Sequence, residues 1–227
     1  VKQKREFSTV AEDYLRAVYS VEEWHDEGVG VTELAELMDV VPSTASENVR
    51  KLREAGLLDH RPYQRVRLTE KGRVEAVKMV RRHRLLETFL HRSLGFSWDE
   101  VHEEAEDLEH AVSDRFIDKL DKALDFPKMD PHGDPIPAKD GSVATTSNPT
   151  LLTAPIGEDL TIVRIRDGEP EVLRYFEQRN LVPGTTIRVL DRSKVTGVIG
   201  VSINGNRIDV SKGLGADIKV TPAPEEN

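Results

Sequence analysis

Histidine and carboxylate are the residues of this sequence whose spacing could do chemistry. His83 and Glu87 lie four apart, and His102, Glu106, Glu109 and His110 follow within one short stretch. On an ideal helix the last four fall at roughly 0°, +40°, −20° and +80°, an arc of about 100°. Val101, Ala105, Leu108 and Val112 occupy the adjacent sector, between roughly −120° and −60° on the same wheel. The ligand-type face therefore borders a buried face, where imidazoles and carboxylates can converge on a divalent ion. An ordinary acidic helix with two histidines is the plain alternative, good for any one residue and weaker for six together. The chain has no cysteine, so thiolate sites and disulfides are excluded. A carboxylate-rich set suits harder ions such as Mn²⁺ or Fe²⁺ better than a structural zinc.

These residues must be carried by helices. Up to about Asp125 apolar residues recur three and four apart, as in Tyr14, Leu15, Val18 and Val21, then Leu85, Leu86, Phe89 and Leu90. Thr9 to Glu12 reads as a capping box opening the first helix. Val31 to Leu52 reads as a helix-turn-helix, with Leu34, Ala35 and Met38 inward on one helix and Ala45, Val49 and Leu52 inward on the next. Pro42 suits the opening turn of the second helix. Ser43, Thr44, Ser46, Glu47 and Asn48 would then face base edges near its N-terminus, with Val41 and Pro42 before them and Arg50 behind. A hairpin around Arg61 to Arg65 makes a wing with arginines at 61, 65 and 67. A winged helix used only for protein contact is the weaker reading, because the basic residues fall on wing and recognition helix.

From Phe126 to about Pro155 proline, glycine, serine and threonine dominate, which predicts a linker. Short β-type runs follow at Thr161–Ile165, Thr186–Leu190 and Val198–Ile203, with a short helix over Glu169–Asn180 and a hairpin turn at Asn204-Gly205. The expected fold class is α+β. Its domains are a winged helix-turn-helix over 1–75, a helical segment with its Pro-rich linker over 76–148, and a small β domain over 149–227.

The net charge of −9, taken alone, argues against a nucleic-acid partner. Charge is segregated, however. Between Arg50 and Arg92 there are 13 basic against 5 acidic residues, and between Asp99 and Asp134 there are 13 acidic against 4 basic. One block suits polyanion and the other cations, although two solvated helix faces of opposite sign would look the same. No apolar run approaches the ~18 residues of a membrane span, and Val1–Glu6 leads into no signal peptide. Cytoplasm is the expected location.

The winged helix with Leu68-Thr69-Glu70-Lys71-Gly72, then Val80–Glu87, Trp98–His110 and Asp130-Pro131-His132-Gly133-Asp134-Pro135-Ile136-Pro137, resembles the diphtheria-toxin-repressor family of metal-activated transcriptional repressors. The resemblance spans nearly the whole chain. It implies a homodimer formed through the middle helices, a C-terminal Src-homology-3-like (FeoA-type) domain, and metal-triggered binding to a palindromic operator that shuts off metal-uptake genes. It also implies a primary metal site at Asp13, Glu106, Glu109 and His110 and an ancillary site at His83, Glu87 and His102. In the iron-responsive branch the positions of Asp13 and Glu106 hold methionine and cysteine. Carboxylates there match the manganese-responsive branch and favour Mn²⁺ over Fe²⁺, with Co²⁺, Zn²⁺ or Cd²⁺ as surrogates. Iron-type members draw further ligands from the C-terminal domain, for which Glu169 and Glu171 are the candidates. Family base contacts map to Val41, Ser43 and Glu47; Glu47 either accepts from a cytosine amino group or is solvated. The rival readings are an Fe²⁺-dependent repressor of iron-acquisition genes, a metallohydrolase on the same ligands, and a winged-helix sensor of an organic ligand. No His-Glu-x-x-His or nucleophile-elbow motif supports the hydrolase.

Overall fold

A computed structural model describes residues 7–224, apart from residues 26, 62, 146 and 167. Pro62 of the wing and the first six residues lie outside the described residues. The chain divides into two units. The first comprises Val1–His83, Asp107–Leu120 and Pro137–Val143; the second comprises Arg84–Glu106, Asp121–Ile136 and Ala144–Asn227.

The first unit opens with α1 (Thr9–Glu22), α2 (Val31–Leu37) and α3 (Pro42–Glu54). Tyr14, Leu15 and Val18 of α1 pack with Leu34, Ala45, Val49 and Leu57 in one buried cluster. The cap of α1 differs from the sequence expectation. Ser8, one residue earlier than Thr9, accepts from the Ala11 N–H, and the Glu12 carboxylate turns to His110 instead. Pro42 is the first residue of α3, where its missing N–H costs little. Strands β1 (Leu58–Asp59) and β2 (Arg67–Leu68) pair antiparallel as the wing hairpin. They lead to α4 (Glu70–Phe89). The Thr69 hydroxyl donates to the Gly56 carbonyl and accepts from the Gly72 N–H, capping α4. A Cβ on Gly72 would stand 1.9 Å from the Leu57 carbonyl oxygen, so α4 can approach the wing this closely only with glycine there.

Helix α4 runs on into a π-helical turn, Leu90–Leu94, followed by α5 (Val101–Glu109) and α6 (Asp114–Ala123). Helix α5 stops at Glu109, so His110 lies in a turn and not on the ideal wheel. Leu108, expected on the buried face, is exposed, while Val101 and Ala105 are buried.

The second unit holds a five-stranded antiparallel sheet in the order β6-β5-β4-β3-β7. Its strands are β3 (Asp159–Ile165), β4 (Thr186–Ser193), β5 (Val198–Ile203), β6 (Asn206–Ser211) and β7 (Ile218–Pro222), with α7 (Pro170–Gln178) and α8 (Lys212–Ala216) between them. Asn204 and Gly205 both have positive φ, as the β5–β6 turn requires. Leu160, Ile162, Phe176, Ile187, Val201 and Val220 form the core together with Trp98 from the helical stretch.

The expected linker is only partly one. Residues 132–137 are all buried. The Asp130 carboxylate accepts from the backbone N–H groups of His132 and Asp134, both at 2.9 Å, and the His132 carbonyl accepts from the Ile165 N–H. Arg84 lies 3.6 Å from Asp130 and 3.4 Å from Asp134, and Arg164 also contacts Asp134. Proline fixes φ as readily as it breaks helices, and these ion pairs hold the fixed chain as a packed strap.

Candidate metal centre

In the first unit, Arg16 of α1 follows Glu12 by four residues and Asp13 by three, the spacings that bring helical side chains together. All three meet the end of α5. His110 Nε2 lies 2.6 Å from Asp13 Oδ1 and 3.5 Å from Glu109 Oε1, and His110 Nδ1 lies 3.2 Å from Glu12 Oε2. Asp13, Glu109 and His110 can each offer one ligand atom within 4.8 Å of the others. Glu109 is fully buried; its Oε2 is 2.8 Å from His83 Nδ1 and its Oε1 is 3.4 Å from Arg16 Nε.

Burial raises the Glu109 carboxyl, but the His83 hydrogen bond and the charges of His83, Arg16 and His110 outweigh it and leave the group below its ordinary range. The His110 imidazole is pushed up to about 9, first by its hydrogen bond to Asp13 and then by that to Glu12, against an opposing cost of burial. The sign for stability follows. A raised histidine contributes stability that is fully present below its ordinary value of 6.5 and lost as pH rises through about 9. Urea unfolding of the chelator-treated protein should therefore give a stability that declines across that interval, and the decline should vanish in His110→Ala.

In the second unit the fully buried Glu87 accepts from His102 Nδ1 at 3.3 Å, and His102 Nε2 stands 3.4 Å from Glu106 Oε1. Glu106 is half exposed there. A further group was not singled out in the sequence: Glu87, Asp130 and His132, all buried, also offer ligand atoms within 4.8 Å of one another. His132 Nε2 lies 2.7 Å from the Trp98 carbonyl and so carries the proton, which leaves a lone pair on Nδ1. That Nδ1 is buried with no hydrogen-bond partner. An imidazole lone pair grouped with two carboxylates fits a divalent cation of the oxygen- and nitrogen-preferring kind. The signal for it was the order Asp130-Pro131-His132, hidden by its reading as linker.

His83 precedes Glu87 by one turn of α4. Glu169 and Glu171 are exposed at the start of α7 and belong to none of the groups found among the described residues.

On the DNA-reading side, Val41, Pro42, Ser43, Thr44, Ser46 and Glu47 are exposed around the start of α3, as is Arg50. Arg50 holds both Glu47 oxygens and also Glu54. Asn48 is only partly exposed and donates to the Tyr14 hydroxyl at 3.3 Å. In the wing, Arg61 is exposed, whereas Arg65 is drawn back onto the Gly28 carbonyl and Glu33, each at 2.7 Å. Tyr63, which the sequence reading passed over, is fully exposed with a positive φ at the hairpin tip.

Residues 6–66 match the family model "Iron dependent repressor, N-terminal DNA binding domain", residues 69–138 match "Iron dependent repressor, metal binding and dimerisation domain", and residues 150–222 match "FeoA domain". With the geometry above, these matches define a DNA-binding regulator that answers to a metal ion. The chain belongs to the iron-dependent repressor family, which includes the diphtheria toxin repressor and consists of metal-dependent transcriptional repressors, not enzymes. It is 34 % identical over 201 residues to the iron-dependent repressor IdeR of Mycobacterium tuberculosis, covering 86 % of this chain and 82 % of that protein. Among solved structures, it is 46 % identical to a manganese-dependent transcriptional repressor in complex with manganese, with a TM-score of 0.88 over 94 % of this chain and 100 % of that one. The manganese regulator SloR is 34 % identical, with a TM-score of 0.84 over 94 % of this chain and 98 % of that one. The fold class expected from sequence holds, and the hydrolase reading falls. No helix among the described residues is long and apolar enough to cross a membrane.

Proposed function

We propose that this protein is a Mn²⁺-activated repressor that binds a palindromic operator as a homodimer in the cytoplasm and shuts off metal-uptake genes. The observation that carries this reading is Asp13 of α1 set against His110 and Glu109. It is a donor set of oxygen and imidazole nitrogen with no sulfur, of the kind that harder ions prefer. The likeness to a manganese-dependent repressor in complex with manganese supports it. In this reading Asp13, Glu109 and His110 form the primary site, with Glu106 as the further ligand that the family pattern assigns. The family pattern assigns His83, Glu87 and His102 to the ancillary one, and Asp130 and His132 lie beside Glu87 as further candidate metal ligands. Residues 1–75, 76–148 and 149–227 serve as DNA-reading, metal-binding and FeoA-type domains.

A divalent ion bound at these groups would neutralise the carboxylates and accept the imidazole lone pairs. Everything else is the work of the chain. Asp13 and Glu12 fasten α1 to the turn after α5. Tyr14, the next residue, receives the hydrogen bond from Asn48 of α3, so the position of α1 is passed to the recognition helix. Ser43, Thr44, Ser46 and Glu47 then meet base edges, and the wing with Arg61 meets the phosphates. The switch requires that the fastened arrangement bind metal better than the released one.

The test is operator binding by the purified protein in chelator, in Mn²⁺ and, anaerobically, in Fe²⁺. Mn²⁺ should raise affinity over chelator by roughly 5- to 150-fold, the usual span of such coupling. Equal affinity with and without metal would sink the repressor switch. Activation by Fe²⁺ at clearly lower concentration than Mn²⁺ would move the protein to the iron-responsive side.

A further inference from the structure

Glu109 presents its two oxygens to two different histidines, Oε2 to His83 at 2.8 Å and Oε1 to His110 at 3.5 Å. A carboxylate shared in this way is the bridging element of two-ion centres, whose ions sit about 3.5–4 Å apart. Asp13 Oδ1 and Glu12 Oε2 flank His110 on its two ring nitrogens. The ligands for a second ion are therefore at hand in the same unit.

Arg16 stands in the way. It follows Asp13 by three residues on α1, its side chain is 13 % exposed, and its Nε lies 3.4 Å from Glu109 Oε1. A guanidinium keeps its charge at any pH a protein meets. The carboxylates facing the centre in this arrangement are those of Glu12, Asp13 and Glu109, while Glu106 stands over His102. One divalent ion and Arg16 balance these three; two divalent ions and Arg16 exceed them by two charges. Arg82, a further cation nearby, is paired with Asp114 at 2.7 Å and changes this balance little, and His83 and His110 are neutral when they give a lone pair to a metal ion.

We propose that Arg16 is a built-in monovalent cation that takes the place of a second divalent ion beside Glu109, so that the Asp13–Glu109–His110 centre holds one ion and not two. Arg16 is thus a positioning residue that sets metal stoichiometry. The inference rests on the metal-centre reading above.

The test measures Mn²⁺ bound per chain by equilibrium dialysis with elemental analysis, together with the low-temperature electron paramagnetic resonance spectrum. Arg16→Glu should take up one Mn²⁺ per chain more than the native protein, with the hyperfine pattern of an exchange-coupled pair. Arg16→Lys, which keeps the charge, should bind the native number and show isolated ions. Where circular dichroism shows Arg16→Glu unfolded, Arg16→Gln carries the same readout, with a gain over the native number expected. An unchanged stoichiometry and uncoupled spectrum in the folded variants overturn the proposal, as does a coupled pair already present in the native protein. Asp13→Ala separates this from the parent reading. If that variant binds as many ions as the native protein, the metal-centre assignment itself is wrong.

Discussion

Asp13→Ala should remove the metal dependence of operator binding, bringing a ratio of roughly 5- to 150-fold between Mn²⁺ and chelator down to about one. Asp13 is the α1 carboxylate in contact with His110 Nε2, at 2.6 Å. Without it α1 keeps Glu12 on the other ring nitrogen but loses its ligand to the centre. The side chain is partly exposed and takes no part in the buried cluster of Tyr14, Leu15 and Val18, so the fold should survive. Circular dichroism and the urea midpoint should be close to those of the native protein. Glu106→Ala is the informative companion. Its carboxylate is half exposed and stands over His102, but as the further primary ligand it should cost the metal response as Asp13→Ala does. A clearly smaller loss would mean that Glu106 stays with His102 and takes no part in the primary site. A full metal response in Asp13→Ala would refute the role given to α1.

The two carboxylates also show what the sequence could and could not disclose. Spacing put His102, Glu106, Glu109 and His110 on one arc, because a helical wheel assumes that the helix continues. Helix α5 ends at Glu109, and His110 in the following turn reaches α1 instead of sharing a face with His102. Local patterns were legible where the cause is local: the inward Leu34, Ala45 and Val49, Pro42 opening α3, and the Asn204-Gly205 turn. The cap of α1 was misplaced by one residue because Glu12 is engaged by His110, 98 positions away, which no local rule contains. The His132 group and the strap around it were missed for the same reason. Their partners, Glu87, Arg84 and Arg164, come from helix and sheet far along the chain, and proline-rich composition does not distinguish a strap from a linker.

That strap carries the second large expected effect. Asp134→Ala should lower the unfolding free energy by about 3–5 kcal/mol, the usual cost of removing one partner from a buried ion pair. Asp134 is 2 % exposed, and Arg84 and Arg164, which it contacts, are buried as well. With the carboxylate gone, Arg84 keeps Asp130 at 3.6 Å and the Pro135 carbonyl at 2.7 Å, while the buried Arg164 loses its contact with Asp134. Such a loss is a large part of the roughly 5–15 kcal/mol by which domains are stable. Removing the matching charge should restore part of it, so Asp134→Ala with Arg164→Met should unfold at higher urea than Asp134→Ala alone. The effect reaches the metal ligands too. The Asp134 N–H and the His132 N–H both bond to Asp130 Oδ1, so a loosened Asp134 frees the turn that places Asp130 and His132 beside Glu87. Mn²⁺ uptake by the second unit should fall in the variant, while the Asp13-dependent uptake remains. A stability change under about 1 kcal/mol would mean that water reaches the arginines when Asp134 is absent, and that the ion pairs of the strap are weaker than their burial implies.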